Sequence, residues 1–178
     1  MTWNETIENF SHFLKFERNF SDNTLDAYIR DVKKLKAFSE EKLDNTTPDK
    51  ITFENLQEFL LYLTKEKISE RTQARGISSI KSFFKYLIEE EIREDNPSTL
   101  LEGPKLGLYL PDTLSFEDVE KIINAIDLST DLGVRNHCII EVLYGCGLRV
   151  SELIELKISD INFKENFIKV EGKGKKVR

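Results

Sequence analysis

Five polar side chains recur on one side of a single stretch: Arg71, Arg75, Ser78, Lys81 and Lys85, at spacings of 4, 3, 3 and 4. On a helix they form one face, about 100° around from the apolar series Ala74, Ile77, Ile80, Phe84 and Leu87. Guanidinium groups on such a face can fork onto phosphates or guanine edges, and the small Ser78 lets a backbone come close. The plainer alternative is an amphipathic helix whose basic face is merely solvated.

Charge distribution bears on that choice. The 178 residues carry a formal net charge of −6, which argues against generic nucleic-acid binding. Yet Lys65, Lys67, Arg71, Arg75, Lys81 and Lys85 outweigh Glu66 and Glu70 to give a local +4. Lys164, Lys169, Lys173, Lys175, Lys176 and Arg178 outweigh Glu165 and Glu171 by the same margin. Acid gathers elsewhere, as at Glu89, Glu90, Glu91, Glu94 and Asp95. Screening acts over roughly 8 Å, so a patch of four charges attracts phosphates at close range. Acidity overall does not exclude DNA.

Composition closes off other classes. With 39% hydrophobic residues, twelve Phe, eight Gly and four Pro, the chain suits one or two globular domains and not a disordered one. No apolar run approaches the roughly 20 residues of a membrane span. Met1 to Phe13 carries acids and lacks a basic-then-apolar pattern, so an uncleaved cytoplasmic protein is expected. Cys138 and Cys146 lie in one helical stretch and are expected to be buried, reduced thiols. No CxxC, no Cys/His metal spacing and no glycine-rich phosphate loop occurs, so no cofactor or metal is expected.

Pro97, Pro104 and Pro111, with Gly103 and Gly107 among them, mark residues 96–111 as an interdomain linker between residues 1–95 and 112–178. The first part reads as an all-α bundle of four helices. Thr2 to Phe16 places Ile7, Phe10, Phe13 and Leu14 on one side. Asn23 is the expected cap of a second helix stacking Leu25, Tyr28, Val32 and Leu35. Thr52 begins a third, with Leu56, Phe59, Leu60 and Leu63, and Ser69 caps the fourth. Beyond the linker, Ser115 and Asp118 form a capping box. A helix from about Arg135 to Tyr144 places Cys138, Ile139, Val142 and Leu143 in a core, and Gly145-Cys-Gly147 breaks it. A short helix then turns Val150, Leu153, Ile154 and Leu156 inward. Phe167 to Val170 has strand periodicity, Gly172-Lys-Gly174 turns, and Lys175 to Arg178 starts a return strand. A lone hairpin arm is an unstable ending, so the sequence reads as cut off inside a domain.

Gly145-Cys-Gly-Leu-Arg149-Val-Ser-Glu-Leu153 resembles the first arginine motif of the tyrosine recombinase (phage integrase) family. Lys173 falls at the distance, and in the β-turn, where that family places its lysine. Ser21-Asp-Asn-Thr-Leu-Asp-Ala-Tyr-Ile-Arg-Asp31 is similar to the family's N-terminal helix signature, and so is Arg71 to Leu87. Glu94-Asp-Asn-Pro97, Gly103-Pro-Lys105 and Leu110-Pro111 match its connector. The resemblance covers essentially the whole chain and is nearest to the Xer branch, with an XerD-like connector.

The resemblance implies a mainly α fold: a four-helix SAM-like core-binding bundle, then the helices and one hairpin arm of an α+β catalytic domain. It implies two domains closing around duplex DNA at a specific recombination site. A tyrosine attacks a phosphodiester, forming a 3′-phosphotyrosyl bond and releasing a 5′-hydroxyl, with no cofactor. Arg149 would clamp the non-bridging oxygens, since a planar, permanently charged guanidinium suits growing negative charge. Lys173 would protonate the leaving oxygen. Glu152, one turn on, would orient Arg149 or cap the helix. Arg30, Arg71, Arg75, Ser78, Lys81, Lys85, Lys175 and Lys176 would meet DNA. The Xer likeness further implies chromosome-dimer resolution, a second recombinase subunit in a tetrameric synapse, and a DNA translocase partner.

The family's later His-x-x-Arg string and its nucleophilic tyrosine have no counterpart in these residues. Tyr28, Tyr62, Tyr86, Tyr109 and Tyr144 stand in other contexts, and His12 and His137 are isolated, so this chain alone is expected not to cleave DNA. Two rival readings are a non-catalytic DNA-binding module and a helical protein-interaction domain whose basic stripe meets an acidic partner.

Overall fold

A computed structural model describes residues 2–104, 107, 112–172 and 176–178. The chain forms two compact units, Met1–Leu108 and Tyr109–Arg178.

The first unit is a helical bundle. Helix α1 (Trp3–His12) starts at a reciprocal capping box between Thr2 and Glu5 and runs into a π-helical turn, Phe13–Glu17. The cap of helix α2 (Asp22–Lys42) lies two residues ahead of the expected one: Ser21 holds the N-cap position, and Asn23 lies in the first turn. After a short 3-10 turn at Pro48–Lys50, α3 (Phe53–Lys65) is capped by Thr52 with Asn55, and α4 (Glu70–Glu89) by Ser69. The apolar stripes converge on Phe10, Leu14, Val32, Leu35, Leu56, Phe59, Ile80, Phe83, Phe84 and Leu87, all essentially inaccessible to water. Burial of this kind contributes about 1.5–3 kcal/mol per large side chain. Of the expected α4 stripe only Ala74 is half-buried, while Phe83 and Tyr86 widen it.

Part of the expected linker belongs to this unit. The Asn96 side chain accepts hydrogen bonds from the Ser98 amide (3.0 Å) and hydroxyl (2.7 Å), turning the chain at Pro97 and burying Ser98. Leu101 then joins the core. Apolar burial outweighs the extended preference around the prolines up to that point. Lys105, Leu106 and 108–111 lie outside the described residues.

The second unit comprises α5 (Phe116–Asn124), α6 (Asp131–Cys146), α7 (Val150–Glu155), a 3-10 turn at Ile158–Asp160, and strands β1 (Ile161–Asn162) and β2 (Phe167–Ile168). Helix α6 begins a turn before the expected Arg135, because Thr130 accepts from the Gly133 amide at 3.1 Å. A Cβ at Gly133 would overlap the Asp127 carbonyl, so glycine is required there. The strand arm is not alone as expected. The Asn162 side chain accepts from the amides of Lys164 (3.0 Å) and Glu165 (3.1 Å), closing a turn that pairs β1 with β2 antiparallel. On the other side, Val170 and Arg178 exchange backbone hydrogen bonds of 2.9 and 3.0 Å.

Burial in this unit corrects two expectations, the buried thiols and the inward series of α7. Cys138 and Cys146 are exposed, as are Val150 and Ile154 of α7. Among the described residues only Val119 and Val170 of this unit are buried apolar side chains, so the inward series on α6 and α7 has little to face. No helix among the described residues is long and apolar enough to cross a membrane.

Candidate functional site

The corner between α6 and α7 is built by a glycine. At the end of α6, Gly147 adopts a left-handed conformation (φ 58°, ψ 38°) that L side chains rarely take, and its amide donates to the Leu143 carbonyl. Two residues later Arg149 is extended (φ −77°, ψ 153°) and caps α7. Glu152 lies at the third position of that helix. Its Oε2 accepts from the Arg149 amide at 2.7 Å, and its Oε1 from Arg149 Nη1 at 2.8 Å. It therefore both caps α7 and holds Arg149. The Glu152 side chain is only 5% exposed, whereas that of Arg149 is 63% exposed.

Arg178, whose backbone pairs with that of Val170, closes the cluster. Its Nη1 donates to Glu152 Oε1 at 3.1 Å, and its Nη2 to Oε2 at 2.8 Å and to the Gly147 carbonyl at 3.3 Å. Hydrogen bonding from the Arg149 amide, then from its guanidinium, with the Arg178 charge behind them, holds the Glu152 carboxyl below its ordinary range. Two guanidinium groups on one carboxylate leave a net charge of about +1 at the corner, suited to an oxyanion. Lys173 and Lys175 lie outside the described residues, and Lys176 is exposed next to the isolated bridge between Glu171 and Val177.

The basic face of the first unit is less uniform than its spacing. Arg71, Ser78 and Lys85 on α4 and Arg30 on α2 are exposed, and Lys81 is half-buried. Ser78 Oγ donates back to the Ala74 carbonyl at 3.1 Å. Lys85 lies 3.7 Å from Glu89, which also takes both oxygens' worth of contact from Arg18 at 2.9 and 3.0 Å. Arg75 has a structural task. Its Nη1 lies 3.1 Å from the buried Asp31 carboxylate and 3.3 Å from the Ala27 carbonyl, and Ser79 Oγ donates to Asp31 at 2.9 Å. These bonds pin α2 to α4.

Tyr86 is buried, and burial pushes its hydroxyl pKa up, which does not suit a nucleophile. Among the described residues no group of three or more His, Cys, Asp or Glu side chains could hold a metal ion. Sequence reasoning missed Arg178 and Asp31 because both act across 26 and 48 residues of chain.

Comparison with known proteins agrees with this architecture. Residues 7–91 match the profile "Phage integrase, N-terminal SAM-like domain", and residues 112–178 match "Phage integrase family". The chain belongs to the phage integrase, or tyrosine recombinase, family. Among its relatives, tyrosine recombinase XerD of Oceanobacillus iheyensis is 42% identical over 172 residues, which are 97% of this chain and 58% of that protein. XerD of Listeria innocua is 38% identical over 175 residues, 98% of this chain and 59% of that protein. The chain thus spans somewhat over half the length of these relatives. A lambda integrase tetramer bound to a Holliday junction shares the fold, with a TM-score of 0.75 at 20% identity over all of this chain and 50% of that one. The Tn1549 transposon integrase in complex with transposon right end DNA gives 0.70 at 20% identity, over 99% of this chain and 56% of that one.

Proposed function

We propose that this chain is the DNA-binding and arginine-bearing part of a Xer-type site-specific recombinase acting on cytoplasmic DNA. The observation that carries the reading is Arg149: a guanidinium anchored through one N–H to a buried carboxylate, and otherwise presented outward from the glycine corner. That arrangement suits a clamp on the non-bridging oxygens of a phosphodiester. Preorganised donors of this type contribute about 3–4 kcal/mol to a transition state.

In the proposed reaction a tyrosine hydroxyl, supplied together with its proton acceptor by residues other than these, gives up its proton and attacks phosphorus. The new P–O bond to tyrosine forms as the bond to the 5′-oxygen breaks. That oxygen takes a proton, for which Lys173 is the candidate donor. Bond energy is retained in the phosphotyrosyl link, so religation needs no cofactor. The faces of α2 and α4, through Arg30, Arg71, Lys81 and Lys85, would track the duplex, with Lys175 and Lys176 as further candidates. The integrases bound to DNA and the XerD relatives support this assignment. They also motivate the finer expectation of a paired recombinase subunit, a translocase and chromosome-dimer resolution.

Selection of tight binders from a random-sequence duplex library tests the reading. Enrichment of a defined duplex site is expected. Binding without any sequence preference, or preferential binding to an acidic polypeptide, would instead support a generic or protein-directed basic surface.

A further inference from the structure

The donors around Glu152 divide unevenly between the two arginines. Arg178 forks onto the carboxylate, with Nη1 on Oε1 at 3.1 Å and Nη2 on Oε2 at 2.8 Å. Arg149 offers a single guanidinium N–H, Nη1 to Oε1 at 2.8 Å, beside its backbone amide. A forked pair is stronger than an end-on one, so a carboxylate prefers whichever guanidinium can reach both oxygens. Here Arg178 holds that place, with a further bond to the Gly147 carbonyl at 3.3 Å.

We propose that Arg178 is a positioning residue: by occupying the forked site on Glu152 it keeps Arg149 singly held and its remaining N–H groups available to an oxyanion. Among the described residues the Arg149 guanidinium has no hydrogen-bond partner but Glu152. Arg178 is brought to the carboxylate by the backbone pair it forms with Val170. Gly172 lies beside the contact: a Cβ there would come 3.4 Å from Arg178 Nη1 and 3.5 Å from Glu152 Oε1. Without Arg178, Glu152 would take Arg149 into the fork and withdraw it from solvent. The purpose of this device, though not its geometry, rests on Arg149 being the phosphate-binding group.

Nitrogen-15 NMR of the arginine side chains tests it in the 178-residue chain, with Arg149→Lys and Arg178→Lys assigning the signals. In the unsubstituted chain Arg178 should show separate, slowly exchanging Nη signals, while those of Arg149 are averaged by rotation. In Arg178→Ala the Arg149 Nη signals should separate as it enters the fork. Arg178→Lys retains the charge without the planar fork and should give the same result. Protection of the Val170 amide reports whether the hairpin is intact, and the lysine variant decides if alanine loosens it. Arg149 signals that remain averaged in an intact variant, or that are already separate in the unsubstituted chain, overturn the proposal.

Inorganic phosphate added to the same samples distinguishes the two readings. Phosphate should perturb Arg149 and bind about tenfold more weakly in Arg178→Ala, the loss of roughly one charge-assisted hydrogen bond. An Arg149 signal indifferent to phosphate in the unsubstituted chain overturns the phosphate-clamp reading, while the change of partner on Glu152 still tests Arg178.

Discussion

The guanidinium of Arg75 lies 3.1 Å from the carboxylate of Asp31, whose side chain is 4% exposed, and this pair locks α2 to α4 across the first unit. Ser79 adds a third member to the network. Removing one partner leaves a buried charge without its counterion, whereas Arg75 itself is partly solvated, so its contribution is reduced by screening.

Arg75→Ala is therefore expected to destabilise the first unit by about 2 kcal/mol, well above the effect of an ordinary surface substitution. Urea denaturation followed by circular dichroism measures it. A change within about 0.5 kcal/mol would show that the pair contributes little to stability.

Glu152 makes the second unit sensitive to acid. Its carboxyl is held below its ordinary value of 4.5 in the folded chain, so the unfolded state binds the proton more readily. The resulting stabilisation is present above that ordinary value and is lost as the pH falls through the lower folded value. Glu152→Gln should remove this part of the acid dependence while leaving that of Asp118, lowered by its bonds to Ser115. Amide exchange at Val170 between pH 3 and 6 reads the difference. Identical profiles for the two proteins contradict the assignment.

The glycines at the two ends of α6 predict a graded pair of substitutions. Gly147→Ala places a side chain in the left-handed region and should cost about 1 kcal/mol. Gly133→Ala should cost more, because the new Cβ meets the Asp127 carbonyl and backbone must shift. Denaturation midpoints of the two variants give the order, and a reversed order would contradict the geometry.

These features differ in how far they could be read from sequence. The caps at Thr52, Ser69 and Ser115 are set by spacings of three residues, and the helical stripes of the first unit by spacings of three and four. Both signals are local. The exposure of Val150, Ile154 and Cys138 was not legible, because periodicity identifies an apolar face but not what covers it. Strand β1 spans two residues, too few for any alternation to register. The motif around Arg149 marked the corner, and the proximity of Glu152 followed from helical spacing. Arg178 and Asp31 required the folded chain, since their partners are distant in sequence.

Specific duplex binding through the α2–α4 face is the central property expected of this chain. Affinity for the selected duplex should be measured as a function of salt for the unsubstituted chain, Arg71→Ala and Lys85→Ala. Each variant is expected to remain folded and to lower the slope of log K against log salt by about 0.9, the release of counterions from one phosphate contact. Unchanged slopes and affinities in both variants would contradict the account.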